Sequence, residues 1–191
     1  MVILSCMSVR TYRLRQLAWL FLFAFFVCGC SGKPVPVKVN GDLKFGQYII
    51  SPPEGYWYLP RIFPSEFKTP KDIFLIAFWE NKEAALRKTA PSQIGVLFNF
   101  AVSVNTYKDW EAYYKAAKAF GLTYQELPNE ATPFKNMANW SCKERGQGIY
   151  GIECISLADN LITIGVYGFD KDAVLSKLPL LQKLVESFKK V

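Results

Sequence analysis

Ser65-Glu66-Phe67-Lys68 sets a hydroxyl and an amine three residues apart, a spacing at which lysine can serve as base toward a serine nucleophile. The chain has no histidine. That removes the commonest general base, the Ser-His-Asp arrangement and most zinc sites. Gly146-Gln147-Gly148-Ile149-Tyr150-Gly151 spells G-x-G-x-x-G, a pattern in which backbone amides cradle a dinucleotide phosphate. Of the carboxylates, Glu66, Asp72, Glu80 and Glu83 have no spacing that brings two onto one face of one element, so they read as solvated.

Neither motif survives its context. Ser65-x-x-Lys68 resembles the first motif of penicillin-binding proteins, with Asp159-Asn160 and Lys88-Thr89-Ala90 echoing the other two. Here Ser65 follows Pro64 in a loop, Ala158 replaces a serine and Ala90 replaces a glycine. Ser187-x-x-Lys190 fits the spacing as well, so the pattern is cheap. A cell-wall hydrolase or penicillin-interacting enzyme using Ser65 and Lys68 is therefore the rival function. The glycine motif needs a helix after it, and Ile149–Ala158 reads as a strand. Pairing two strands about Gly148 sets Cys142 opposite Cys154 and Lys143 opposite Glu153. Directly opposed Cβ atoms lie about 4.5–5.5 Å apart, close to disulfide range. The expectation is a disulfide-stapled hairpin whose turn draws positive φ angles from Gly146 and Gly148.

The N-terminus supplies the compartment. Arg10, Arg13 and Arg15 precede the apolar run Leu17–Val27, which is too short for a helix spanning the roughly 20 residues a bilayer requires. A basic flank, a short apolar region and a small-residue site read as a signal peptide, complete whether Met1 or Met7 is the start. Val27-Cys28-Gly29-Cys30 resembles the lipobox of bacterial lipoproteins, although Cys28 stands where Ala, Ser or Thr is usual. The resemblance implies cleavage of residues 1–29 and a lipid on Cys30. Ser31 after the cysteine implies the outer membrane, facing the periplasm, if the cell has two membranes. Removing three arginines from 23 basic against 16 acidic residues leaves a formal +4 with no basic stripe, so no nucleic-acid partner is expected. Cys142 and Cys154 then remain as the thiols of an exported domain, which favours a bridge and leaves no metal or cofactor site.

These residues need elements to place them. Residues 30–41 read as a lipidated cysteine and a proline-bearing tether reaching about 35 Å at 3.1 Å per residue. Residues 42–191 read as one α+β domain on an antiparallel sheet. Strands are expected over Leu43–Ser51, Asp72–Trp79, Ile94–Asn105, Ala138–Glu144, Ile149–Leu157 and Leu161–Phe169, with Gly55–Pro60 a short aromatic strand or turn. The clearest is Ile94–Asn105, where Val96, Phe98, Phe100, Val102 and Val104 alternate with smaller or polar residues. A helix over Lys108–Gly121, capped by Thr106, sets Trp110, Tyr113, Tyr114, Ala117 and Phe120 on one side to pack on the sheet. From Asp170 a helical segment closes the chain, kinked or restarted near Leu178 by Pro179.

The order of elements, the opening Tyr48–Tyr58 (strand, prolines, Gly-aromatic) and the ending Leu184–Lys189 resemble the PsbP-like fold, which also occurs in bacterial lipoproteins. The resemblance implies a non-enzymatic binding or assembly module. Tyr56, Trp57 and Tyr58 beside Pro52, Pro53, Pro60 and Pro64 either fill the edge of the core or leave a ring exposed as the candidate surface for an envelope protein or glycan, since flat rings offer large area at low entropy cost. Trp79 and Trp140 are assigned to packing.

Overall fold

The computed structural model describes residues 35–60, 74–88, 95–146 and 149–191. Two antiparallel sheets carry the fold. The larger runs in the order β1 (Val37–Lys38), β4 (Trp57–Tyr58), β5 (Phe74–Trp79), β6 (Leu97–Val104), β10 (Asn160–Gly168), β9 (Tyr150–Leu157), β8 (Ser141–Gly146) and β7 (Thr123–Gln125). The smaller holds β11 (Lys189–Lys190), β3 (Tyr48–Ile50) and β2 (Leu43–Phe45). The helices are α1 (Lys82–Arg87), α2 (Trp110–Ala119), α3 (Lys171–Leu175) and α4 (Leu178–Ser187), with a 3-10 segment over Asn129–Asn136. This is the expected α+β class.

The core lies on one face of the large sheet. Phe98, Phe100 and Val102 of β6 are buried, and their cross-strand partners Phe78, Ile76, Val166, Ile164 and Ile162 are buried with them. Period-two alternation puts every one of these on the same face. Against that face α4 sets Leu178, Leu181, Leu184 and Val185, a helical stripe that is fully or nearly buried. Burying each such side chain contributes about 1.5–3 kcal/mol, which holds the helix on the sheet. Pro179 sits in the first turn of α4, where its missing N–H costs nothing, and the terminal helical segment is accordingly two helices.

Several expectations are corrected. The strand over Leu43–Ser51 is a hairpin, folded by Gly46 (φ 59°) so that Phe45 faces Tyr48 and Leu43 faces Ile50. Glycine takes the first central position of such a two-residue turn because a side chain there is strained. Asp109, not Thr106, caps α2, its carboxylate accepting from Ala112 N at 2.8 Å. An Asn105 side chain takes the Tyr107 N–H at 2.9 Å and turns the chain before the helix can begin. The tether is also shorter than expected. Val37 and Lys38 pair with Tyr58 and Trp57, and Val39 is buried. Helix α1 was not expected; its signal is Asn81, whose side chain accepts from Ala84 N at 2.8 Å.

Candidate functional site

Cys142 and Cys154 face each other across β8 and β9 and are joined as a disulfide, with Lys143 opposite Glu153. Gly146 corrects one expectation. It ends β8 opposite Thr123 without a positive φ, so it is a strand residue and not part of the turn; Gly148 lies outside the described residues. Gly151 is a strand residue too, and a helix does not follow the glycines. Ser65, Glu66, Lys68 and Asp72 lie outside the described residues, as do Cys30 and the whole N-terminal segment before residue 35. Ser187, from the second serine–lysine match, accepts from Ser51 N and donates to Leu184 O, both at 2.8 Å. It is a helix-end linker. Glu80 accepts from Tyr56 and pairs with Lys177, while Glu83 pairs with Arg87 within α1.

The other face of the large sheet carries a polar knot that the strand pairing alone did not reveal. Glu153 is only 5% exposed, and both of its oxygens are taken. Tyr167 donates to Oε1 at 2.8 Å and Tyr124 donates to Oε2. Since the Tyr124 proton goes to Glu153, Tyr113, 3.2 Å from the Tyr124 oxygen, is the donor in that pair. Tyr114 bonds Ser141 Oγ at 2.8 Å, and Arg145 lies over the Tyr167 ring at 5.5 Å. Helix α2 brings Tyr113 and Tyr114 to this place, which is the packing role read from their spacing. Glycines make room below: a Cβ at Gly165 would lie 2.4 Å from Tyr167 Oη, and one at Gly151 2.5 Å from Tyr167 Cδ1.

This arrangement suppresses proton chemistry. Burial first, and the Glu153 charge second, push the Tyr113 and Tyr124 phenols upward, and the same two causes push up Tyr167. Burial raises Tyr114 to about 12. A folded-state value above the unfolded value of about 10 means the fold keeps protons that the unfolded chain has lost. Stability from these groups is therefore complete below about pH 9 and declines as pH rises beyond about 10. Near-ultraviolet absorbance should show Tyr113, Tyr114, Tyr124 and Tyr167 ionising together with loss of the circular dichroism of the fold. Full phenolate formation at about pH 10 in a folded chain would contradict the geometry.

The expected aromatic surface is largely consumed by packing. Tyr56 is 7% exposed, edge-on to Phe98 at 5.5 Å, and donates to Glu80 Oε1 at 3.0 Å. Trp57 is half-buried beside Leu59 and Trp79, with the Lys82 ammonium 5.6 Å above its ring. Tyr58 packs edge-on to Phe45 and against Phe78.

A second aromatic cluster lies elsewhere, with Trp140 and Phe188 half-buried and Tyr48 buried. A cavity of about 320 Å³ opens where the β9–β10 turn meets β3 and β11, and its lining includes Tyr48, Asn139, Trp140, Ser156, Asn160 and Phe188. Phe188 stacks on Tyr48 at 5.5 Å and receives Trp140 edge-on at 5.6 Å, which makes one continuous wall. A turn over Met137–Trp140, with Asn139 at φ 67°, carries the indole to this position. Asn160 Nδ2 donates to the Tyr48 hydroxyl oxygen at 2.6 Å. Ser156 is 8% exposed, and its hydroxyl meets no partner among the described residues. At the rim, Asp159 and Lys190 neutralise each other at 2.7 Å. Trp140 was thus read as packing when it is also cavity wall, and no sequence spacing joins residues 48, 140, 156 and 188.

Among the described residues, no three His, Cys, Asp or Glu side chains gather where they could hold a metal ion. No described helix is long and apolar enough to cross a membrane. No family model and no curated protein matches the chain. Among solved structures it is similar to the solution structure of cyanobacterial PsbP (CyanoP) from Synechocystis sp. PCC 6803, at 11% identity and a TM-score of 0.41, with 87% of this chain and 99% of that one covered.

Proposed function

We propose that this chain is a lipid-anchored protein of the bacterial envelope whose folded domain binds a ligand without transforming it. The observation that carries the binding reading is the cavity beside Trp140. It sets half-buried aromatic rings beside a serine hydroxyl that has no partner among the described residues, so a polar group there is left for a ligand to engage. The buried carboxylate Glu153 has both oxygens taken by phenols and is not free to act as a base. Export is supported by the basic-then-apolar N-terminus and by the paired cysteines, which suit an oxidising compartment. The anchor is a lipid on Cys30, held at the outer membrane where the cell has one.

Two measurements test the two halves. Cys30→Ser should move the protein from the detergent phase to the aqueous phase in phase partitioning; an unchanged partition removes the anchor. For binding, the Trp140 indole N–H resonance of the full chain should shift when a water-soluble extract of the bacterial envelope is added. An unmoved signal, together with release of fragments from purified wall polymer that Ser65→Ala abolishes, would replace binding by hydrolysis.

A further inference from the structure

The cavity has a composition that selects among ligands. Trp140 and Phe188 are half-buried and present ring surface to it, with Tyr48 buried beneath Phe188, and electron-rich ring faces attract the weakly positive C–H bonds of a flat polar molecule. Facing needs of the opposite kind come from hydrogen-bonding groups that the protein leaves unused. Ser156 Oγ, the Asn139 side-chain amide, the Asn160 side-chain oxygen and the Trp140 indole N–H meet no partner among the described residues. A hydroxyl both donates and accepts, and an amide supplies one of each, so the unused set asks for a ligand with alternating donors and acceptors.

Charge and size narrow the class further. Asp159 and Lys190 pair with each other at 2.7 Å, so the rim presents no uncompensated charge of that pair to hold a phosphate or carboxylate. An acyl chain or other apolar occupant would leave the Ser156 hydroxyl dry and unpaired, a cost of about 1–3 kcal/mol. A volume of about 320 Å³ lies at the lower end of ligand pockets, which run from roughly 300 to 1,000 Å³. One small ring with an apolar face and several hydroxyls satisfies all of these demands.

We infer that the cavity is a subsite for one neutral sugar unit, stacked on the aromatic wall with its hydroxyls on Ser156, Asn139 and Asn160. This rests on the binding reading above and gives that site its ligand class. The test uses the full chain in a detergent without a sugar head group, and its probes are methyl glycosides of neutral hexoses and of an N-acetylhexosamine. Millimolar additions should shift the Trp140 indole signal and the Asn139 and Asn160 side-chain amide signals. Ser156→Ala should weaken the effect about tenfold, the loss of one hydrogen bond to a buried group. Asn139→Gly removes an amide at a position whose φ suits glycine, and serves if the serine variant does not fold. Shifts that neither variant alters would place the sugar elsewhere and overturn the inference. If no glycoside shifts these signals while a proline-rich peptide or a short fatty acid does, the sugar class falls and the binding reading stands. If none of the probes shifts them, both fall.

Discussion

Replacing Glu153 by alanine is expected to cost about 3–5 kcal/mol of stability, the range for removing one partner from a buried charged network. The carboxylate is the acceptor on which the phenol chain ends. Tyr113 gives its proton toward Tyr124, Tyr124 gives its own to Glu153, and Tyr167 arrives from the other side. With alanine, two phenols lose their acceptor inside the protein and Arg145, packed over Tyr167, loses its nearby negative charge. Tyr167 is buried, so its hydroxyl would be left without water to replace the carboxylate. Glu153→Gln keeps an oxygen for one phenol and the shape of the side chain, but its N–H must be accepted by the other phenol, which loses its charge-assisted bond and must turn its own proton elsewhere. An intermediate loss of about 1–3 kcal/mol is expected for it. Urea denaturation of both variants measures the order. A Glu153→Ala variant as stable as the parent would show that the knot carries no net stabilisation.

How much of this was legible in the sequence depended on the distance over which the information had to act. Alternation along β6 is a local signal, and Phe98, Phe100 and Val102 fell on the core face it named. The restart at Leu178 follows from one proline. The β8–β9 register was readable because two cysteines and an opposite-charge pair shared one centre of symmetry. What that symmetry could not show was the third dimension. Lys143 stands opposite Glu153, yet it bonds Glu126, while Glu153 bonds tyrosines that arrive from β7 and β10. Pattern gives the face on which a side chain lies, and only the crossing of elements decides what meets it there. The Gly46 turn was missed because the residues around it remain apolar and strand-like on both sides. The cavity is the extreme case. It draws on residues from 48 to 190, and its aromatic members sit in apolar contexts that read as those of core residues.

Loss of the Cys142–Cys154 link is expected to cost about 3 kcal/mol, the chain-entropy value for a closed loop of roughly a dozen residues. In a domain of this size that is a fall in melting temperature of roughly 6–12 °C. Entropy is only part of the consequence. Both sulfurs are buried in the core, and the bridge fixes which residue of β8 faces which residue of β9. A slip of one residue would turn Ile152 and Cys154 out of the core and Glu153 into it, since side chains alternate along a strand. The bridge therefore holds the register on which the phenol knot depends. Cys142→Ala combined with Cys154→Ala should lower the urea midpoint and raise the slope of the transition, because an unlinked unfolded chain exposes more surface. Reductant should do the same to the parent and nothing to the double variant. The Glu153→Ala substitution distinguishes the two contributions of the link. If the bridge acts through the unfolded chain alone, its loss and the loss of Glu153 add; if it also holds register, the combined loss is smaller than the sum, because one change has already loosened what the other would break.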